Sequence, residues 1–250
     1  MIHPPNPLSQ GAFTENAPFG LTGRLGALAG LVASAPCQRL VDVGCDHATV
    51  PVQLLKEGIC TSVLVTDLRK CPLEAARKRA DRAGVREGFD ALQKDGLKGV
   101  ELLPTDTLLI SGLGGDTISA ILESDPEKTR RPERIIIQSQ TKEELVRRAL
   151  MDCGRPISQE LCLEDKGQVY LIILSDRSGT CLEADALQLF FGPQILRSLE
   201  KGRAYPALDR YLSKRIRRLR KQAVYQTDAR KLLEAFEESY GIPYNKQDQD

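Results

Sequence analysis

The sequence lacks several features that would place it in common classes of membrane-bound or cross-linked protein. No apolar run is long enough to cross a bilayer, and the seven cysteines are odd in number with no C-x-x-C pair among them. These absences argue against a membrane protein, a disulfide-stapled domain and a cysteine-ligated metal cluster. We therefore expect no membrane partner, no metal, and a location in the reducing cytoplasm.

The composition that is present is typical of a globular protein, but its charge is unevenly distributed. Of 250 residues, 41% are hydrophobic and 28% are charged, which is enough to form a core. The net charge of +1 hides a basic segment between Gln194 and Lys231, where twelve lysines and arginines accompany three acidic residues. Such a segment can attract a polyanion, although the more ordinary interpretation is a solvated helix face.

Short apolar runs alternate with helical patterns and predict a mostly parallel sheet covered on both faces. We expect an irregular tail over 1–18, an α/β domain over 19–176 and a helical domain over 177–250. The predicted strands cover 39–43, 62–66, 90–93, 107–111, 134–138, 157–163 and 168–174. The predicted helices of the α/β domain cover 21–32, 48–56, 73–82, a short 97–102, 117–123 and 142–152.

Two further patterns complete the predicted architecture. Residues 164–167 between the last two strands predict an antiparallel hairpin that closes the parallel sheet. Beyond the linker at 175–180 we expect helices over 182–191 and 195–200, then one beginning at Pro206 and one capped by Thr227 or Asp228. Apolar residues from Leu208 to Ala223 recur every three or four positions, as in a coiled coil. The fold class is therefore α/β, a Rossmann-like sheet with a terminal hairpin, plus a C-terminal α-helical, coiled-coil-like domain.

The stretch from Leu40 to Pro51 predicts a buried strand, a tight turn and a helix. Gly44 lets the backbone bend or approach a ligand, and the free N–H groups of the helix would face the turn. Asp42 and Asp46 at the two ends of the turn would repel a pyrophosphate but suit hydroxyl and ammonium groups. The spacing differs from the dinucleotide G-x-G-x-x-G and resembles the first motif of class I S-adenosylmethionine (SAM) methyltransferases. The alternative is a capped helix in some other α/β protein.

Two more acidic residues follow predicted strands. Asp67 lies 23 positions after Gly44, a distance at which a carboxylate binds ribose hydroxyls; the alternative is a cap for the next helix. Asp95-Gly96 follows the third strand, where a SAM site would use the carboxylate to accept from the adenine amino group; the alternative is a simple turn.

Glycines follow the fourth strand in the stretch from Ser111 to Asp116. They leave the backbone uncovered at the edge where two substrates would meet, unless the stretch is only a flexible loop.

His47 beside Cys45 could suggest a nucleophilic pair, but adjacent side chains point apart, so we expect His47 to line the cofactor turn.

With these positions set out, the chain resembles the bacterial tRNA (adenine-22-N1)-methyltransferase family, the TrmK-like class I SAM enzymes. The matching pieces are 21–25, Asp42 to Ala48 with Pro51, 95–97, 111–115 and Glu164-Asp165 through Tyr170. A departure is Gln138-Ser139-Gln140, where the family tends to have Gln-Pro-Asn.

The resemblance implies methylation of N1 of an adenine in tRNA, with SAM as cofactor and tRNA as partner. The implied cofactor-binding residues are Asp42, Gly44, Cys45, Asp46, His47, Asp67, Leu68, Asp95, Gly96, Ser111 and Gly112. The candidate catalytic residues are Asp46, Gly112, Gly114, Asp116 and Gln138, with Asp46 or Asp116 stabilising the charge that develops on the base. The candidate tRNA-binding residues are Arg24, Arg215, Arg217, Arg218, Arg220 and Lys221.

Three other functions remain open on the sequence. A SAM enzyme acting on a small molecule or a protein would need no basic helical segment. A non-catalytic SAM- and RNA-binding protein would explain Ser139 and Gln140. A nucleotide-dependent oxidoreductase is disfavoured by the first motif and the terminal hairpin. We expect a monomer or a weak dimer.

Overall fold

A computed structural model describes residues 18–181 and 183–241, and its central feature is a seven-stranded sheet. The strand order is β3-β2-β1-β4-β5-β7-β6, with β1 to β5 parallel and β7 antiparallel to both β5 and β6. The strands are β1 Arg39–Val43, β2 Ser62–Asp67, β3 Phe89–Gln93, β4 Asp106–Leu113, β5 Arg134–Ser139, β6 Gln159–Asp165 and β7 Gln168–Asp176. The predicted parallel sheet with a terminal hairpin is confirmed.

Helices cover the sheet in two groups. Helices α1 to α3 contact one another in sequence order, and α4 contacts α6. Their bounds are α1 Gly23–Ala33, α2 Thr49–Lys56, α3 Lys70–Ala83, α4 Gly115–Glu123, α5 Pro126–Arg130 and α6 Glu143–Asp152. The core against the first group joins helix residues such as Leu28 and Leu73 to strand residues such as Leu40, Val63 and Ile136. Burial of such side chains on both faces explains why the strands are almost continuously apolar.

Between β3 and β5 one local prediction is wrong and one helix was not predicted. The helix predicted over 97–102 is a series of turns, because Gly96 and Gly99 both adopt positive φ, at 57° and 68°. The short helix α5 was not predicted, although its start signal is clear. Pro126 occupies its first turn, and the Asp125 side chain accepts a hydrogen bond from the Lys128 N–H at 3.0 Å.

The hairpin turn is tighter than predicted. Strand pairing continues to Asp165 and Gln168, so only Lys166 and Gly167 form the turn, with φ of 50° and 76°. Two consecutive positive φ values match the two-residue turn whose twist suits a hairpin.

The chain divides into two compact units, one ending at Glu183 and one beginning at Ala184. The second unit contains α7 Ala186–Phe191, α8 Pro193–Glu200, α9 Pro206–Ala223 and α10 Thr227–Tyr240. Pro206 occupies the first turn of α9 as predicted. The residue that precedes α10 is Gln226, so Thr227 and Asp228 already lie inside the first turn rather than capping it. Within the described ranges, none of the helices has the length and hydropathy that a membrane span requires.

Candidate active site

The carboxyl ends of the parallel strands surround a cavity of about 720 Å³. Five predicted cofactor-binding residues line it, namely Gly44, Asp67, Leu68, Asp95 and Gly96. They come from the segments after β1, β2 and β3, which are neighbours in the sheet. Parallel strands that end at the same edge thus bring together residues that are up to 52 positions apart in the chain (96 − 44).

A second wall of the cavity comes from β4 and α4, and sequence reasoning missed it. Leu113, Thr117, Ala120 and Ile121 line this side. A Cβ atom at Gly96 would lie 2.9 Å from the Ile121 side chain, so glycine is needed for α4 to approach so closely. Leu68, which also lines the cavity, is 64% exposed although it is apolar. An apolar slot of this kind suits a flat aromatic ring.

Two acidic residues lie side by side at the ends of β1 and β2. Burial, and then the charge of Asp67, raises the pKa of Asp42 to about 7. Asp67 is 8% exposed, and one of its carboxylate oxygens accepts the Arg69 N–H at 2.9 Å. Its neighbour Thr66 also lines the cavity, and its buried hydroxyl has no hydrogen-bond partner among the described residues. This side of the cavity therefore offers acceptors for hydroxyl or ammonium donors.

The turn between β1 and α2 holds its residues in an uncommon backbone conformation. Gly44, Asp46 and Ala48 all have positive φ, at 75°, 46° and 50°. The side chains of Asp46 and His47 are 80% and 60% exposed and lie 3.6 Å apart. Burial and nearby carboxylates raise the pKa of the Cys45 thiol to about 12, so the thiolate needed for a Cys–His pair does not form. Among the predicted cofactor residues, Asp42, Cys45, Asp46 and His47 lie beside the cavity rather than in its lining.

A second group of residues meets around Arg24, and we name Arg24, Gln138, Asp165 and Tyr170 the Arg24 cluster. The Arg24 guanidinium Nη1 donates to Gln138 Oε1 at 2.5 Å and lies 5.4 Å from the centre of the Tyr170 ring. The Arg24 backbone N–H donates to an Asp165 carboxylate oxygen at 3.1 Å. The start of α1, the end of β5 and the hairpin therefore all position one guanidinium.

Gly112 connects the Arg24 cluster to the cavity. Its φ of 80° produces an irregularity in the pairing of β4 with β5 between Ser111 and Leu113. A Cβ at Gly112 would lie 3.7 Å from Arg24 Nη1 and 3.9 Å from the side-chain nitrogen of Gln140. Gly112 thus faces the Arg24 cluster, while the next residue, Leu113, lines the cavity. Ser111 and Gly112 themselves are not in the cavity lining.

The remaining candidate catalytic residues have structural partners. Gln138 is fully buried, and its amide also donates to the Ser139 carbonyl at 2.6 Å, so it holds Arg24 rather than meeting a substrate directly. Asp116 pairs with Lys142 at 2.7 Å, which neutralises its charge. Gly114 precedes α4, and the glycine after it, Gly115, packs against the 141–142 backbone, where a Cβ would lie 2.4 Å from a carbonyl oxygen. Of these glycines, Gly112 is the one beside Arg24.

The predicted tRNA-binding cations of α9 differ in exposure. Arg215 is 2% exposed; its guanidinium donates to the Phe190 carbonyl at 2.6 Å and lies 3.8 Å from the Phe190 ring centre. The prediction that Arg215 contacts RNA is therefore wrong, because its side chain holds the helical unit together. Arg220 pairs with Glu237 at 3.1 Å, whereas Arg217 and Lys221 are exposed and Arg218 is half-buried.

Comparison with known sequences shows similarity to methyltransferases. The profile of a family described as a methyltransferase domain matches residues 21–173. A Bacillus subtilis protein named tRNA (adenine(22)-N(1))-methyltransferase is 24% identical over 153 residues, which are 61% of this chain and 64% of that protein. The match thus spans just under two thirds of the Bacillus protein.

Solved structures show the same architecture. A Streptococcus pneumoniae protein described as a putative tRNA (m1A22) methyltransferase, in complex with S-adenosyl-L-methionine, is 27% identical with a TM-score of 0.70. The similarity covers 84% of this chain and 97% of that one. The B. subtilis m1A22 tRNA methyltransferase TrmK has a TM-score of 0.71 over 90% of this chain and 97% of its own, at 19% identity. This second likeness concerns the fold alone.

Proposed function

This chain belongs to the methyltransferase domain family, and on that premise we propose that it methylates N1 of an adenine in tRNA, with SAM as methyl donor. One observation carries the proposal: adjacent residues Gly112 and Leu113 face the Arg24 cluster and the cavity. A donor in the cavity and an acceptor beside Arg24 would therefore meet at one point of β4. The names of the similar Bacillus and Streptococcus proteins favour position 22 of tRNA.

The residues of the cavity fit the cofactor that the family uses. Asp67 suits the ribose hydroxyls, and Asp95 suits the adenine amino group. Leu68 and Ile121 would cover the two faces of the adenine ring, as the exposed position of Leu68 suggests. Asp42 would interact with the ammonium group, directly or through its neighbour Asp67. Bound SAM supplies an electrophilic methyl group on a sulfonium.

The protein residues then have a mainly positional task. N1 of neutral adenine carries an in-plane lone pair, so it needs no general base before it attacks. Arg24, held by Gln138 and Asp165, would fix the target nucleotide once it leaves its stack. The positive charge that develops on the product favours a nearby carboxylate. Asp46 or Asp116 would supply this carboxylate; Asp46 is 80% exposed and lies 3.6 Å from His47, whereas Asp116 forms the closer pair, 2.7 Å from Lys142.

A methyl-transfer assay tests the proposed function. Purified protein, labelled SAM and total tRNA should give label in tRNA, and nuclease digestion should identify 1-methyladenosine at one position. Transfer of the label to a small molecule or to protein would favour the alternative that this chain is a SAM-dependent methyltransferase with a different substrate. Binding of SAM and tRNA without transfer would favour a non-catalytic protein, and it would overturn the proposal.

A variant of Arg24 separates the acceptor role from cofactor binding. Arg24→Lys should reduce the single-turnover rate at least tenfold with SAM affinity unchanged, because lysine lacks the planar guanidinium that donates to Gln138 and lies over the Tyr170 ring. Arg131→Lys, an exposed arginine outside both the cavity and the Arg24 cluster, is the matched control and should retain the wild-type rate.

A further inference from the structure

A basic groove lies between α2 and α3 in the first unit, outside the cavity described above. It has a volume of about 460 Å³, and its lining includes Leu21 and His47. Its cations, which we name the groove cations, are Lys56, Lys78, Arg79 and Arg82, all with exposed side chains. Arg79 Nε donates to the His47 carbonyl at 2.8 Å, so the groove is fixed to the turn after β1.

The lining of the groove contains cations and no acidic residue among the described residues. Carboxylates lie at its margin: Asp46 is 3.6 Å from His47, Glu57 accepts from Gln53 at 2.9 Å, Asp81 lies 3.9 Å from Arg86, and Glu74 is exposed on α3. The groove cations, which face solvent together, therefore create a local positive potential that the chain as a whole does not have.

Two lining residues connect the groove to the proposed acceptor side. Leu21 is part of the lining, and Arg24 follows it three residues later at the start of α1. His47 is also part of the lining and neighbours Asp46 in the β1–α2 turn. An extended polyanion in the groove would therefore pass the Leu21–Arg24 segment, beside which the target nucleotide is proposed to sit.

We infer that the groove between α2 and α3 binds the phosphate backbone of the tRNA, next to the nucleotide that is methylated. This inference rests on the proposed function, because it names where that substrate lies. Lys78 and Arg82 are one helical turn apart on α3 and face Lys56 across the groove, so they can contact successive phosphates of one strand. The first unit would then hold the RNA near the cleft without relying on α9.

Charge reversal in the full-length protein tests the inference. Lys78→Glu with Arg82→Glu should raise the Kd for tRNA at least tenfold at low salt and flatten the slope of log K against log salt by roughly one to two. The KM for tRNA should rise with kcat retained, because the contact lies outside the reacting atoms. SAM affinity by calorimetry should be unchanged, which also shows that the variant is folded.

The matched control is Arg131→Glu with Arg148→Glu, which changes the net charge equally at two exposed positions outside the groove. It should change the Kd for tRNA less than twofold. The inference is overturned if the groove variant keeps the wild-type Kd and salt slope, or if the control weakens binding equally. With either of these two outcomes, methylation of tRNA by the wild-type protein would still support the proposed function. Failure of the wild-type protein to bind tRNA would remove both.

Discussion

At the residue scale, two buried carboxylates on the cofactor side of the site, Asp42 and Asp67, lower the stability of the ligand-free protein. Asp42 and Asp67 lie near the carboxyl ends of neighbouring strands, and burial together with their mutual repulsion raises the pKa of Asp42 to about 7. A ligand that donates hydroxyl or ammonium hydrogens to these carboxylates would relieve this cost, whereas the free protein carries it. Affinity for such a ligand and stability of the ligand-free protein are therefore opposed at Asp42.

The cost at Asp42 predicts a pH-dependent stability difference. Between about pH 4 and pH 7 the unfolded chain releases the Asp42 proton while the folded chain keeps it, so wild-type stability falls as pH rises through this window and levels off above it. Asp42→Asn removes this dependence. We expect the variant to gain roughly 2–4 kcal/mol relative to wild type at pH 8, and much less at pH 4.5, in urea unfolding without ligand.

The same variant should bind SAM at least tenfold more weakly. Asp90→Asn is the control, because its carboxylate is exposed and lies outside the cavity lining, so neither the pH dependence nor the SAM affinity should change. A stability difference between Asp42→Asn and wild type that stays constant from pH 4.5 to 8 would contradict this account.

The thiols give a second prediction at this scale. Cys45 is buried with its pKa raised to about 12, whereas Cys71 is exposed. Alkylation of the native protein at pH 8 should therefore modify Cys71 first and leave Cys45 intact, as peptide mass spectrometry would show. Preferential labelling of Cys45 would instead support the hypothesis that Cys45 and His47 form a nucleophilic pair.

At the scale of elements, the hairpin turn shows how local conformation closes the sheet. Lys166 and Gly167 both have positive φ, which glycine adopts readily and lysine does not. Strands β6 and β7 owe their register to this turn, and Asp165 immediately before it holds the start of α1. The register of β6 with β7 therefore requires Lys166 to adopt a strained, positive-φ backbone conformation.

Two substitutions in this turn should have opposite effects. Lys166→Asn should stabilise the protein by about 0.5–1 kcal/mol, since asparagine before glycine favours the turn. Gly167→Ala should destabilise it by about 1 kcal/mol through backbone strain alone, because a Cβ there would meet no atom within 4 Å. Thermal unfolding of both variants gives the test, and effects of the same sign would contradict it.

Most of the elements and one wall of the cavity could be predicted from the sequence, because both depend on local patterns. Apolar runs identified the strands, and Asp67 ends β2 while Asp95 follows β3. The α4 wall was missed because Ile121 belongs to an ordinary amphipathic helix pattern. The Arg24 cluster was missed as a unit because its hydrogen bonds join residues more than 100 positions apart.

At the scale of the whole molecule, the two units have separate cores. In the helical unit Phe191 and Phe236 are fully buried with their rings stacked 4.0 Å apart, and Arg215 packs on Phe190. In the first unit the core consists of aliphatic residues on either side of the sheet. Each unit therefore has its own source of stability.

Separate cores predict separable unfolding. Phe236→Ala should destabilise the helical unit by about 3–5 kcal/mol, as loss of a buried aromatic ring does, and should leave SAM affinity unchanged. Calorimetry should show an earlier transition for the helical unit beside an unchanged SAM-dependent one. A single transition that shifts as a whole, with weaker SAM binding, would contradict the independence of the cores.

The long-range contacts of the Arg24 cluster also matter for the order in which the chain is synthesised. Its backbone contact to Asp165 joins residues 141 positions apart, and its guanidinium contact to Gln138 joins residues 114 apart. Since a nascent chain emerges from the ribosome amino terminus first, α1 is made long before the hairpin that orients its first turn. A chain that stops before the hairpin would contain the residues that line the cavity but would lack Asp165 and Tyr170, so the first turn of α1 would have no carboxylate at its Arg24 N–H and no ring beside its guanidinium.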